Sequence, residues 1–155
     1  MVWYPIVKFL HVLSAIIAVG FNLSYIVWFA KGKMEQPHLL FALKGVKLMD
    51  DYIANPCYIL GLLTGGLLAW FGGYNILATG WILYPLIIFA IMGVVAFGFY
   101  SPTLSRQIAI LKEQGAGSPA YAAIDKRQTL LGIILFLLAL LIVVIMVVKP
   151  ALPAF

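Results

Sequence analysis

Charge is scarce in this chain: only 10% of its 155 residues are Asp, Glu, Lys or Arg, and just five are acidic. A soluble domain carries roughly a quarter of its residues as charges. The deficit, with 65% hydrophobic residues and a mean hydropathy of +1.09, excludes that class and makes the chain a membrane protein. A single cysteine, Cys57, rules out an internal disulfide and the multiple-Cys spacing of a zinc or iron–sulfur site, and reads as small apolar filler. Paired carboxylates, a nucleophile beside a base, a phosphate-cradling Gly loop and a metal cluster are all missing, which removes hydrolytic chemistry. The net charge of +5 does not imply nucleic acid, because the basic residues are scattered at helix ends rather than gathered in a stripe. No basic region precedes the first apolar run and Lys8 interrupts it, so the run is expected to stay as a helix even though Ala18 and Gly20 imitate a cleavage site.

Four apolar segments are long enough to span a bilayer, at residues 5–29, 52–71, 81–100 and 129–148. They predict an all-α integral membrane four-helix bundle, one transmembrane domain over 1–155, with short cytoplasmic helix extensions. Of the ten Lys and Arg residues, Lys8 and Lys149 fall on one side; Lys31, Lys33, Lys44, Lys47, Arg106, Lys112, Lys126 and Arg127 fall on the other. The positive-inside rule places the loops after helices one and three in the cytoplasm and both termini outside a plasma (inner) membrane. Trp3, Tyr4, Trp28, Trp70, Trp81, Tyr84 and Tyr100 lie near the expected interfaces.

The connections have their own signals. Gly72 to Asn75 begins a short turn of the kind that joins adjacent antiparallel helices, and Pro37 opens a helix that reaches Asp51 before membrane depth. Lys47 and Asp51 are spaced as an i, i+4 ion pair. Helix three runs past the membrane through Arg106 and Lys112 to a turn at Gly115 to Gly117, and Ser118-Pro119 caps helix four. Within helix two, Gly61 and Gly65 form a GxxxG pattern for close helix packing. Pro56 is expected to kink that helix, with Asn55 satisfying a freed carbonyl or a neighbour such as Asn22.

Chemistry concentrates in helix one. Lys8, His11, Ala15, Ala18, Asn22 and Tyr25 recur at helical spacing on one face, bordered by Ser14. His11 lies roughly 9 Å inside the outer end, where an imidazole must be partnered, and His is a common haem ligand. It either bonds Ser14, a carbonyl or a neighbouring helix, or ligates haem b iron. In the second case Met146 is the best second axial ligand by depth, Met92 lies nearer the middle, and Lys8 either pairs with a propionate or snorkels. A homodimer could instead supply two His11 side chains. His38, beside Pro37, reads as solvated. With no acidic residue in the expected spans, a transporter has little for ion coupling.

Lys8-Phe9-Leu10-His11-Val12-Leu13, Asn55-Pro56 followed by Gly61 and Gly65, Gly80-Trp81, and Val147-Val148-Lys149-Pro150 resemble, in order and spacing, the HemJ-type protoporphyrinogen oxidases and more loosely the membrane domains of copper-resistance protein D. An uncharacterised group of bacterial four-helix integral membrane proteins in the same superfamily is similar more closely. The resemblance implies a four-helix fold and haem b ligation by His11. It does not carry the oxidase activity across, because Ile82, Leu83, Tyr84 and Pro85 stand where that family has a His and a Lys, and Asp125-Lys126-Arg127-Gln128 alters the approach to helix four. Two functions follow as expectations: a haem-binding membrane redox protein without established catalysis, or a non-enzymatic accessory subunit of a larger membrane complex.

Overall fold

The computed structural model describes residues 2–153. Among these residues the chain is helix and turn without a strand. Helix α1 (Trp3–Met34) is 32 residues long, about 48 Å at 1.5 Å per residue. That exceeds the ~30 Å hydrocarbon layer, so an end of the helix must stand beyond it; Lys31 and Lys33 occupy the last turn. A 3₁₀ turn at Gln36–His38, built on Pro37, reverses the chain into α2 (Leu39–Met49).

Helix α2 continues through a π turn at Asp50–Ala54 into α3 (Asn55–Phe71). In the same way α4 (Gly80–Val95) passes through a π turn at Ala96–Tyr100 into α5 (Ser101–Gln114). Each π turn directly precedes an X-Pro pair, Asn55-Pro56 and Ser101-Pro102. Proline has no N–H to give and its ring collides with the carbonyl four residues back; widening the preceding turn makes room for it. Lys47 Nζ ties the two π regions together, donating to Asp51 Oδ1 and Oδ2 at 2.6 Å and to Ser101 Oγ at 3.0 Å. Gly115, at φ 77°, ends α5, and Ser118 Oγ accepts from Tyr121 N at 3.1 Å to cap α6 (Pro119–Val148). The result is four rods, each long and apolar enough to cross a membrane.

Helix α1 packs chiefly on α3, and α4 on α6. Contrary to the expectation for the short outer turn, α3 and α4 do not pack closely: no Cα of one comes within 8 Å of a Cα of the other. They meet through large side chains such as Tyr58 and Phe89, whose ring centroids lie 6.1 Å apart. Glycines on α3 seat it against α1 instead, and the connection from Gly72 to Thr79 is long enough to bridge the gap. At the basic end, α2 packs on α1 and α5, and α5 on α6. The fully buried Leu39, Leu43, Val46 and Leu104 lie there, so the most tightly buried part of the core sits in the helix extensions. The core runs on into the spans through Met92, Leu135 and Ala139. At the opposite, terminal end, Lys149 Nζ lies 4.6 Å over the Trp81 ring and the Leu152 carbonyl covers Gly80, where a Cβ would come within 2.5 Å of it.

Candidate functional site

Polar side chains lie between the helices at three places. One is a network between α5 and α6, in which Gln107 Nε2 donates to the Tyr121 hydroxyl at 3.3 Å and to Asp125 Oδ1 at 3.0 Å while Gln107 Oε1 is left unpaired. The other two could carry function, and the first of these is the seam between α1 and α3. His11, half-buried, places Nδ1 2.9 Å from the Gly61 carbonyl and 3.1 Å from Thr64 Oγ1. A carbonyl only accepts, so Nδ1 is the donor, and in the neutral ring the lone pair then lies on Nε2. Ser14 Oγ donates to the His11 carbonyl at 2.9 Å, and Thr64 Oγ1 donates to the Leu60 carbonyl at 2.6 Å. The imidazole lies across Gly65, where a Cβ would come within 3.0 Å of His11 Cε1, and a Cβ at Gly61 would stand 3.3 Å from Ser14 Oγ. Helix α1 is thus the partner of the GxxxG pattern, and only glycine leaves space for the ring.

Two of the partners weighed for His11, a carbonyl and a neighbouring helix, coincide in Gly61. Lys8, one turn away, is exposed, and Met146 is half-buried on α6. As a haem site, this seam offers one nitrogen whose orientation is set by a carbonyl hydrogen bond, the arrangement usual for a ligating imidazole. The donor chemistry fits one axial position.

The second place is a cavity of about 560 Å³ in the basic half, enclosed by α1, α3, α4, α6 and both π turns. That volume lies within the range of small-molecule sites. Phe29, Phe89, Met92, Phe97 and Phe136 supply apolar walls, while Asn22, Tyr25, Asp50, Asn55, Tyr58, Tyr100 and Gln128 supply the polar ones. Asp50 is 7% exposed, although it was expected to lie in the solvated extension. Rod Gln36–Phe71 is continuous through the π turn, and this carries Asp50 inward instead of letting it cap a separate helix.

The polar walls are only partly paired. Asn55 Nδ2 donates to Asp50 Oδ2 at 3.4 Å, across the i, i+5 spacing that a π turn brings into line. Asn22 Nδ2 donates to the Tyr58 hydroxyl. The expected Asn22–Asn55 bond is therefore replaced by two separate ones, because the widened turn directs Asn55 back to its own rod and leaves Tyr58 facing α1. By contrast, the Tyr25 hydroxyl and both amide atoms of Gln128 are buried without a well-formed hydrogen bond, with Asp50 beside the Tyr25 hydroxyl and Tyr100 beside the Gln128 amide. Lys33, also on the lining, pairs with Asp125 at 2.8 Å.

The sequence does not announce this cavity. Tyr25 shares the helix-one face of His11 and Asn22, and Tyr100 lies near an expected interface, but no local motif marks Tyr58 or Gln128 as a site residue. The available signal was the recurrence of long polar or hydroxylated side chains at one depth on four helices, beside two X-Pro pairs. Neither His11, Lys8 nor Met146 lines the cavity. No group of three or more His, Cys, Asp or Glu able to hold a metal ion occurs among the described residues.

Comparison with curated proteins and with solved structures finds no match. A family does match, over residues 5–150, and its members are described as predicted integral membrane proteins (DUF2269). This agrees with the four spanning rods, and the chain belongs to that family.

Proposed function

We propose that the protein binds a membrane-partitioning ring compound bearing oxygen substituents, of quinone or quinol type, in the cavity of its basic half. The observation that carries this reading is the Tyr25 hydroxyl and the Gln128 amide, buried on the cavity wall without well-formed hydrogen bonds, beside Asp50 and Tyr100 on the same wall. Each unpaired buried polar group costs about 1–3 kcal/mol. The amide offers one acceptor and two donors, and the Tyr25 hydroxyl serves either way. A ring carbonyl accepts from the amide nitrogen, a ring hydroxyl donates to the amide oxygen, and the phenylalanines flank the ring. Asp50, the one carboxylate on the lining, can take a hydrogen bond or a proton from such a hydroxyl.

The test is quenching of intrinsic tyrosine fluorescence in detergent by decylubiquinone, since Tyr25, Tyr58 and Tyr100 line the cavity. Saturable quenching that is lost in Gln128→Leu and kept in His11→Ala is the expected outcome. Quenching that does not saturate, or that Gln128→Leu leaves intact, overturns it.

A second reading places haem b on His11 and rests on the Gly61 carbonyl, which leaves Nε2 free for iron. Bound there, haem would supply one-electron transfer. The chain's part is to hold the imidazole by Gly61, with Lys8 for a propionate and Met146 as the thioether to test. A Soret band that vanishes in His11→Ala supports it, and colourless protein without haem on pyridine extraction sinks it. This reading also rests on the resemblance to HemJ-type oxidases; in this chain the residues that carry it meet in space, His11 with Gly61 and Gly65, and Trp81 with Lys149. An accessory role in a larger complex predicts a co-purifying partner that survives His11→Ala. The eight-to-two distribution of basic residues supports a plasma membrane placement with the loops after α1 and α5 in the cytoplasm.

A further inference from the structure

A separate groove lies outside the bundle, between α5 and α6 at the basic end. Its volume is about 450 Å³, and its lining includes Gly98, Phe99, Ile110, Ile124, Arg106 and Arg127. The two arginines project from different helices into one concavity, and both are exposed. Among the described residues neither forms an ion pair: the three pairs present are Lys31–Glu35, Lys33–Asp125 and Lys47–Asp51. The acid nearest Arg127 in sequence, Asp125, is engaged elsewhere, by Lys33 and by Gln107 Nε2 at 3.0 Å. No carboxylate lines the groove, so its two positive charges are uncompensated.

Its position sets the kind of ligand. Gly98 and Phe99 belong to the π turn where the apolar α4 gives way to the polar α5, so the groove straddles the boundary between hydrocarbon and headgroups. Above that boundary stand two guanidinium forks, which match phosphate oxygens in pairs. Below it, Phe99 is exposed beside Gly98, which has no side chain, leaving a strip on which an acyl chain can lie.

The geometry points to a binding site for an anionic phospholipid, its headgroup phosphate held between Arg106 and Arg127 and a chain laid against Phe99. Basic pockets between transmembrane helices are known to take such headgroups, each cation adding measurably to affinity. Charge complementarity selects a net-negative lipid: phosphatidylcholine carries a compensating cation, whereas phosphatidylglycerol does not. This site is independent of the quinone cavity and of His11.

The experiment is native mass spectrometry of the full-length protein, counting retained lipid, with its thermal midpoint in detergent followed alongside. The additives are phosphatidylglycerol, phosphatidylcholine and inorganic phosphate. Phosphatidylglycerol is expected to be retained and to raise the midpoint, with phosphatidylcholine and phosphate doing neither. The Arg106→Gln/Arg127→Gln variant should hold phosphatidylglycerol roughly 30-fold more weakly. A Lys112→Gln/Lys126→Gln variant, which removes the same charge from the same end outside the groove, should bind like the parent. Equal loss in both variants would mean diffuse surface attraction and would overturn the site. Retention by the arginine variant overturns it too, and stabilisation by phosphate alone would make it an ion site rather than a lipid site.

Discussion

The terminal and basic halves of the bundle treat polar groups in opposite ways. Between α1 and α3, His11, Ser14 and Thr64 all find partners, and glycines bring the helices close enough to leave little space. Between the two helix pairs in the basic half, bulky side chains hold a cavity open, and Tyr25 and Gln128 keep polar atoms unpaired. In hydrocarbon an apolar contact brings no hydrophobic gain, so close packing and satisfied hydrogen bonds are what hold helices together. The seam therefore works as the joint of the fold. The cavity keeps polar atoms that the proposed ligand would satisfy, whereas the unpaired Gln107 Oε1 between α5 and α6 lies outside it.

The contrast can be broken most strongly at Gly65. A leucine there collides with the His11 ring, and the loss should be about 2–3 kcal/mol in reversible unfolding from detergent micelles. Gly66→Leu, one residue on, meets nothing within 4 Å and should melt like the parent. Equal damage from both would show that added bulk anywhere on this stretch of α3, not the seam, is at stake, since leucine favours helix over glycine.

Gln128→Leu should move the other way. Removing two unpaired buried atoms is expected to stabilise the protein by about 1–2 kcal/mol while quinone quenching disappears. Destabilisation would mean that the amide is satisfied in the folded protein, and the cavity would lose its claim.

A smaller effect is expected for His11→Ala, about 1 kcal/mol for one hydrogen bond, because Thr64 retains the Leu60 carbonyl. Haem loss would show separately, in the visible spectrum. Smallest is the coupling of Asn22 and Tyr58, about 0.6 kcal/mol in a double-mutant cycle of Asn22→Ala and Tyr58→Phe. A coupling near zero would place the Asn22 amide elsewhere.

Much of the fold was legible because membranes enforce simple rules. The number of long apolar helices, the Lys47–Asp51 pair, the Gly115 stop and the Ser118 cap each depend on a few adjacent residues, and the structure shows each. Pro37 forms a 3₁₀ turn just ahead of α2. Close packing of α3 on α4 did not follow, because a turn motif reports chain reversal and says nothing about which faces then meet; the two touch only through large side chains such as Tyr58 and Phe89. Asp50 was misplaced for a related reason: the π turn displaces the helical register, and its cause, Pro56, lies six residues downstream.

The seam shows how far sequence could go toward a site. His11 and the GxxxG glycines were each visible, but their meeting depends on the rotation of two helices about their axes, which composition does not encode. The cavity was harder still, since Tyr25, Asp50, Tyr58, Tyr100 and Gln128 come from five separate stretches of chain.

By itself, then, the sequence determined that this chain is a four-span α-helical membrane protein with a basic end, because span length, hydropathy and charge bias act locally along the chain. Only the tertiary structure decided that α1 pairs with α3, that the two helix pairs part to enclose a cavity, and that Arg106 and Arg127 share a groove. Those outcomes depend on how small and large side chains interlock across helices, and on two prolines that reset helical register.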